Sequence, residues 1–382
     1  MKRPLILLIL LSMLLYSCNS KNEGSDNVIN INLDKEDKVS VLDLVDSISV
    51  VQLETKQESL FNFIVNVIFY KDRFYILDLK LQSILCFDAK GKYLYKINKK
   101  GRGPDEYSYI ESFNIDPFNN QLMLLVPWGD ILYYNLDGEF ISKVKLPEEI
   151  IAYNEVYALD KERLLFISLN EVQANYYSRK SNTILKGCLQ TEDYIWRIFS
   201  PLSNSYYYRD SLYFSKEVEN IDILNMSDNN LSISYSWDFG EKKNKLEKIK
   251  ETSLLKKRKI QNERKPLLIK DIIGNGNLLN YFPSNCFENE RYRISSLFYK
   301  DPDKLMTLLR DKKEKKNYAF RKTTEGIQLS FRSANENSII MHSDTKDKIF
   351  AENTLSPEQL KIVRAYNPDK DNPFLVIYHL KQ

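Results

Sequence analysis

The chain has 382 residues, with 55 Lys and Arg against 52 Asp and Glu, and only 2 His. That length allows one large β domain or two to three ordinary ones, and 43% hydrophobic with 28% charged residues excludes general disorder. A formal net charge of +3 lacks the basic excess of a nucleic-acid binder, so no nucleic-acid partner is expected. With 25 Tyr and 19 Phe against 11 Gly, the composition favours pleated, half-buried surfaces and hence β structure.

Lys2 and Arg3 precede an apolar run from Leu5 to Leu15 that only Ser12 interrupts. The run is shorter than the ~20 residues needed to span a bilayer and has the length of a signal-peptide core. Leu15-Tyr16-Ser17-Cys18, followed by a polar stretch, resembles a bacterial lipobox, whose cysteine is lipidated and becomes the mature N-terminus. Residues 1–17 are therefore expected to be a lipoprotein signal peptide, Cys18 the lipidated residue and residues 18–38 a polar tether. Several acyl chains on one cysteine anchor durably, since each buried CH₂ contributes about 0.8 kcal/mol. No second apolar run reaches spanning length, so the mature chain is expected to be held at a membrane without crossing it. Cys86, Cys188 and Cys286 remain, an odd and widely spaced set with neither a disulfide framework nor metal-ligand spacing.

From residue 39 onward short apolar runs alternate with turn signals. Phe74-Tyr75-Ile76-Leu77, Ile84-Leu85-Cys86-Phe87 and Tyr93-Leu94-Tyr95-Lys96-Ile97 are followed by the same grammar in Leu122–Leu125, Ile131–Tyr134 and Phe140–Val144. Phe87-Asp88-Ala89-Lys90-Gly91-Lys92-Tyr93-Leu94 aligns with Tyr134-Asn135-Leu136-Asp137-Gly138-Glu139-Phe140-Ile141 at an offset of 47 residues. Each Gly stands where a hairpin turn requires positive φ. Weaker copies run from Leu164 to Leu185 and from Ser211 to Ser234, with fainter ones at Leu305–Leu309, Ile327–Phe331 and Ile339–His342. Several short strands per repeat of 40–50 residues predict a β-propeller. The repeat-bearing residues, about 309 at about 47 each, predict an all-β fold of six to seven blades. Residues 39–382 form this domain, including a helical insertion expected within 241–275 and centred on 241–265.

Gly101-Arg102-Gly103-Pro104-Asp105-Glu106-Tyr107 is the most distinctive loop. Two glycines relax the backbone, Pro104 fixes one φ, and four polar side chains remain to serve a ligand or to stiffen a connection between blades. Arg102, Asp105, Glu106 and Tyr107 are accordingly the candidate ligand-binding residues. Asp238-Phe239-Gly240 lacks every companion motif of a kinase. Segment 241–265 carries 11 basic and 4 acidic residues around a thin apolar stripe, suiting a solvated helix or an anionic surface. Tyr176-Tyr177 and Tyr206-Tyr207-Tyr208 suit either inter-blade packing or sugar stacking. Asp369-Lys370-Asp371-Asn372 reads as a turn, lacking the Gly and distal Glu of a calcium loop. His342 and His379 have no metal-ligand partner in the sequence, and no catalytic residue is assigned.

Leu53-Glu54-Thr55, the hairpin Phe87–Tyr93, the loop Gly101–Tyr107 and Trp237-Asp238-Phe239-Gly240 resemble features of the six-bladed β-propeller lipoproteins of Bacteroidota. Asp105 stands where that family more commonly has Gly. The resemblance is carried mainly by residues 40–145, and it implies a six-bladed, NHL-like propeller, with seven blades as the alternative, and an outer-membrane or surface lipoprotein. The functional expectation is a binding module for a glycan, a peptide or a partner envelope protein, with a membrane contact through the lipid and no cofactor. The alternatives are a calcium-dependent propeller hydrolase of the lactonase or strictosidine-synthase-like kind, or a structural accessory of an outer-membrane nutrient-uptake complex.

Overall fold

The computed structural model describes residues 27–127, 129–150, 153–167, 172–190, 205–216, 221–227, 231–244, 280–301, 303–331, 333–335, 337–343 and 348–382. The expected signal peptide and Cys18 lie outside the described residues, as does the expected helical insertion beyond residue 244. Gly240–Lys242 forms one 3₁₀ turn at the root of that insertion.

The described chain forms six sheets arranged as the blades of a propeller, so the count is six; each has four antiparallel strands, and β1 adds a fifth, parallel strand to blade 4. Two strands, β1 (Val28–Asn30) and β2 (Val45–Gln52), flank a helical turn α1 (Val41–Leu44) and precede the first blade. Blade 1 holds β3 (Ile64–Tyr70), β4 (Arg73–Asp78), β5 (Ser83–Asp88) and β6 (Tyr93–Ile97). Blade 2 holds β7 (Ser112–Asp116), β8 (Gln121–Val126), β9 (Asp130–Asn135) and β10 (Phe140–Lys145). Blade 3 holds β11 (Glu155–Ala158), β12 (Arg163–Ile167), β13 (Val172–Ser178) and β14 (Thr183–Gln190). Blade 4 holds β15 (Ser205–Tyr208), β16 (Ser211–Lys216), β17 (Ile221–Asn225) and β18 (Ser232–Asp238). Blade 5 holds β19 (Tyr281–Glu288), β20 (Tyr292–Tyr299), β21 (Leu305–Asp311) and β22 (Lys316–Phe320). Blade 6 combines β23 (Ser333–Asn335), β24 (Ser338–His342) and β25 (Phe374–Leu380) with the N-terminal β2, which pairs with β25 from Val45↔Leu380 to Gln52↔Phe374. The outermost strand of the last blade thus comes from the start of the domain, and the ring is closed by hydrogen bonds.

Packing explains the strand patterns. The two middle strands of each blade are covered on both faces by neighbouring blades, so Phe74-Tyr75-Ile76-Leu77 is continuously apolar and at most 1% exposed. The outer β10 is covered on one face only and alternates half-buried with exposed residues. Among the described residues, six hydrophobic clusters fill the six inter-blade spaces, one each. In blades 1 to 4 the outer strand carries a bulge at an equivalent position; in blades 1 to 3 it bends a free edge away from further pairing, whereas in blade 4 the edge beyond the bulge pairs with β1.

The 47-residue repeat rests on one turn chemistry. Asp88 and Asn135 each accept two backbone N–H groups on their side chains, and each following Gly donates back to the carbonyl of Asp88 or Asn135. Gly91 and Gly138 sit at φ +82 and +85, and both are also crowded by the outer strand of the preceding blade. A Cβ at Gly91 would overlap the Gln52 carbonyl, and one at Gly138 would overlap the Tyr95 ring.

Two sequence expectations need correction, and one element is new. Residues 27–38, expected as tether, are packed: β1 pairs in parallel with β18, and Ile29, Ile31 and Leu33 are buried in the cluster between blades 4 and 5. Their Ile-Asn-Ile-Asn-Leu alternation is a strand signal despite the polar partners. Ile327–Phe331 is no strand; it is a connection with Ile327, Leu329 and Phe331 buried alternately. The structure adds α2 (Pro357–Ala365) between β24 and β25, capped by Ser356 and Gln359 and tied to β2 by Gln359 Nε2 on the Ile48 carbonyl at 2.5 Å.

Candidate functional site

The loop Gly101–Tyr107 joins the outer strand of blade 1 to the inner strand of blade 2. Tyr107 is 1% exposed in the cluster between these blades, and burial pushes its phenol up to about 12. Its hydroxyl donates to the Gln82 carbonyl at 2.8 Å and accepts from the Lys99 N–H at 3.1 Å. Glu106 folds its carboxylate beneath the loop, accepting from the Gly103 N–H at 2.7 Å and filling the space a Gly101 side chain would need. Asp105 pairs with Lys99 at 2.5 Å, and that ammonium holds its carboxyl below the ordinary range. Blade 2 reaches in as well, with Tyr134 donating to the Asp105 carbonyl at 3.1 Å and Lys143 to that of Glu106 at 3.0 Å. Arg102 alone of the four candidates is exposed, with no side-chain partner among the described residues.

Two neighbouring segments join this loop into one platform. Asp78, at the end of β4, is fully buried and accepts four backbone N–H groups. Its Oδ2 takes Asn62 and Phe63 at 2.5 and 3.2 Å, and its Oδ1 takes Lys80 and Leu81 at 3.0 and 2.9 Å. The Leu79 N–H also bonds the Phe63 carbonyl at 3.2 Å. Gln82 completes the link, accepting from the Ile110 N–H at 2.5 Å and donating to the Leu79 carbonyl at 2.6 Å. Residues 60–63, 78–82 and 98–110 are thereby fixed to one another over blade 1. On this platform Phe63 is 52% exposed, Leu60 44% and Leu81 37%, beside the exposed Lys80, Lys100 and Arg102. Sequence reasoning missed Phe63 and Leu81, because local sequence does not show that a carboxylate pins their backbone outward.

The other candidates fall into place as scaffold. Leu53-Glu54-Thr55 seals the ring: Glu54 N–H bonds the Gly91 carbonyl at 2.8 Å, its carboxylate accepts from the Tyr93 N–H at 2.9 Å, and Thr55 Oγ1 accepts from the Asn372 N–H at 2.9 Å. Asn372, 2% exposed, further donates to the Glu54 and Ser59 carbonyls at 2.8 Å each, so the segment 369–372 is a turn docked on the seam. Tyr176 and Tyr177 point to opposite blade interfaces, and Tyr206 is buried between blades 4 and 5. There Tyr206 donates to Glu288 at 3.1 Å, which also takes Arg293 and Lys312 at 3.0 Å each. Trp237, fully buried, donates its indole N–H to Ser295 at 2.9 Å. His379 lies between the Ser49 and Ser338 hydroxyls at 2.8 and 3.1 Å, and burial pushes its pKa down. His342 is buried at the end of β24. Among the described residues no group of three or more His, Cys, Asp or Glu side chains is placed to hold a metal ion. Cys86, Cys188 and Cys286 are buried and form no disulfide, and burial pushes the Cys86 thiol up to about 12.

A groove of about 900 Å³ opens between the connection after blade 5 and the excursion carrying α2. Phe350, Tyr366 and Phe374 line it together with Glu325 and Lys348. Glu325 is bound inward: burial alone would raise its pKa, yet the Ser40 hydroxyl and the Val41 N–H, at 2.5 and 3.0 Å, outweigh this and bring it to about 2.

A closed ring of six four-stranded blades with a stitched loop face defines a six-bladed β-propeller. The chain belongs to the family described as Domain of unknown function DUF4934, which it matches over residues 26–379. It is similar in structure to a Bacteroides fragilis protein described as exported, with a TM-score of 0.70 at 16% identity over 93% of this chain and 99% of that one. It is also similar to a member of the DUF4221 family from Bacteroides vulgatus, with a TM-score of 0.54 at 11% identity over 91% and 99% of the two chains. No curated protein matches the sequence.

Proposed function

We propose that the protein is an exported recognition module of the cell envelope, lipid-anchored through Cys18 at the outer membrane and facing the periplasm or the cell surface. Its propeller presents a fixed loop face to a glycan, a peptide or a partner envelope protein. The observation that carries this reading is the platform over blade 1, whose three segments share Asp78, Gln82 and Tyr107 as common fastenings. A surface ordered by its own scaffold loses little freedom on association, which favours recognition. The lipobox-like Leu15–Cys18 and the likeness to a protein described as exported support the address.

Thermal unfolding of the full chain in mild detergent, across glycan and peptide panels with calcium or chelator, tests this function. A ligand at 100 times its Kd stabilises by about 2.7 kcal/mol, enough to shift the midpoint. A calcium-independent shift supports recognition, whereas a calcium-dependent shift reversed by chelator would replace it with the hydrolase reading. Cys18→Ser should release the protein from the membrane fraction, and its retention there would refute the anchor.

A further inference from the structure

The geometry points to the platform over blade 1 as a docking surface for an extended partner segment that combines acidic with apolar side chains. This rests on the recognition reading above and narrows it from three ligand classes to one. Three observations carry it. Phe63 and Leu81 are held outward by the buried Asp78 carboxylate, which binds the backbone N–H of both, so neither can turn into the core without breaking those bonds. The cations around them, Lys80, Lys100 and Arg102, are exposed with no side-chain partner among the described residues. The acids within the three platform segments are occupied by the scaffold: Asp78 by four N–H groups, Asp105 by Lys99, and Glu106 by Gly103. The platform therefore shows apolar side chains and unbalanced positive charge, and its complement is negative and apolar.

Three exposed aliphatics elsewhere lie on outer strands. Leu94, Ile141 and Leu185 stand singly at the bulges of outer strands β6, β10 and β14, as isolated surface hydrophobics commonly do. Phe63, by contrast, immediately precedes the innermost strand β3, at the rim of the ring. An exposed aromatic residue and an exposed arginine on one fixed frame are residue types enriched in interface hot spots. A peptide is the occupant assigned here, since Phe63 at 52% and Leu81 at 37% exposure each keep part of their surface against the scaffold, which suits side-chain contacts.

Selection of a random seven-residue peptide display library on the full chain in mild detergent tests the proposal. Enriched peptides should carry Asp or Glu next to Leu or Phe. Their affinity should fall at least 10-fold in F63S/R102E and at least 5-fold between 50 and 300 mM salt, and should be unchanged in I141A. K100E/R102E should shift the preference toward Lys-containing versions of the same peptides, a gain that misfolding cannot produce. No enrichment, enrichment of basic peptides, or equal binding by F63S/R102E overturns the proposal. So does binding to vesicles containing phosphatidylglycerol that F63S/R102E abolishes. A glycan-induced thermal shift that survives F63S/R102E overturns this assignment while leaving the recognition reading intact.

Discussion

Gly91 and Gly138 show how one residue type can mark both a repeat and a contact. Each has positive φ, and each is approached by the neighbouring blade, so a side chain there meets strain and collision together. Gly240 also has positive φ, at +56, but nothing stands within 4 Å of its would-be Cβ. Gly91→Ala should therefore cost about 3 kcal/mol and Gly240→Ala about 1 kcal/mol. Urea denaturation of the two variants separates these values, and equal costs would remove the collision from the explanation. Glu325 makes a second prediction at this scale. Its carboxyl is depressed to about 2, so its stabilising contribution is present above the unfolded-state pKa and disappears as pH falls from about 5 toward 2. After allowance for solvent screening the contribution is about 1 kcal/mol. Glu325→Gln should then be less stable than the parent by that amount at pH 6 and equal to it near pH 2. A constant difference across the titration would contradict the assignment.

At the scale of elements, legibility followed the regularity of the surroundings. The middle strands of blades 1 and 2 were readable because burial on both faces makes them continuous apolar runs between turn residues. Blade 6 was faint because residues 343–373, with α2, separate β24 from β25 and break the period. The helix itself carried a sequence signal in Ser356-Pro357-Glu358-Gln359, a capping box with Pro at the first helical position. β1 was masked by its asparagines, although Val28-Ile29-Asn30-Ile31 alternates as a half-buried strand does. Ile29 is 2% exposed beside Trp237 in the cluster between blades 4 and 5. Ile29→Asp should lower stability by about 3 kcal/mol, read as a shift in denaturation midpoint, whereas a true tether would tolerate it within about 0.5 kcal/mol. The distinctive loop was legible from its Gly and Pro, yet three of its four candidate residues turn out to fasten the loop. The exposed Phe63 and Leu81 were not legible, because their outward display depends on Asp78, which lies 15 residues from one and 3 from the other.

For the whole molecule, closure and display are one construction. The N-terminal strand β2 completes blade 6, the chain then crosses the seam through Leu53-Glu54-Thr55, and it passes Phe63 before entering β3. The segment that locks the ring thus also carries the principal apolar residue of the platform, which keeps that residue on a rigid part of the fold. β1 and the residues up to α1 lie across blades 4 and 5, bringing the chain from any lipid anchor along the outer flank of the ring. The central claim is that the face over blade 1 is where the protein meets its partner. The most direct measurement is photo-crosslinking in cells, with p-benzoyl-phenylalanine placed at position 63 or, for comparison, at the equally exposed position 141. The account predicts a discrete adduct from position 63 that R102E diminishes, and none from position 141. No adduct from position 63, or the same adducts from both positions, would contradict it.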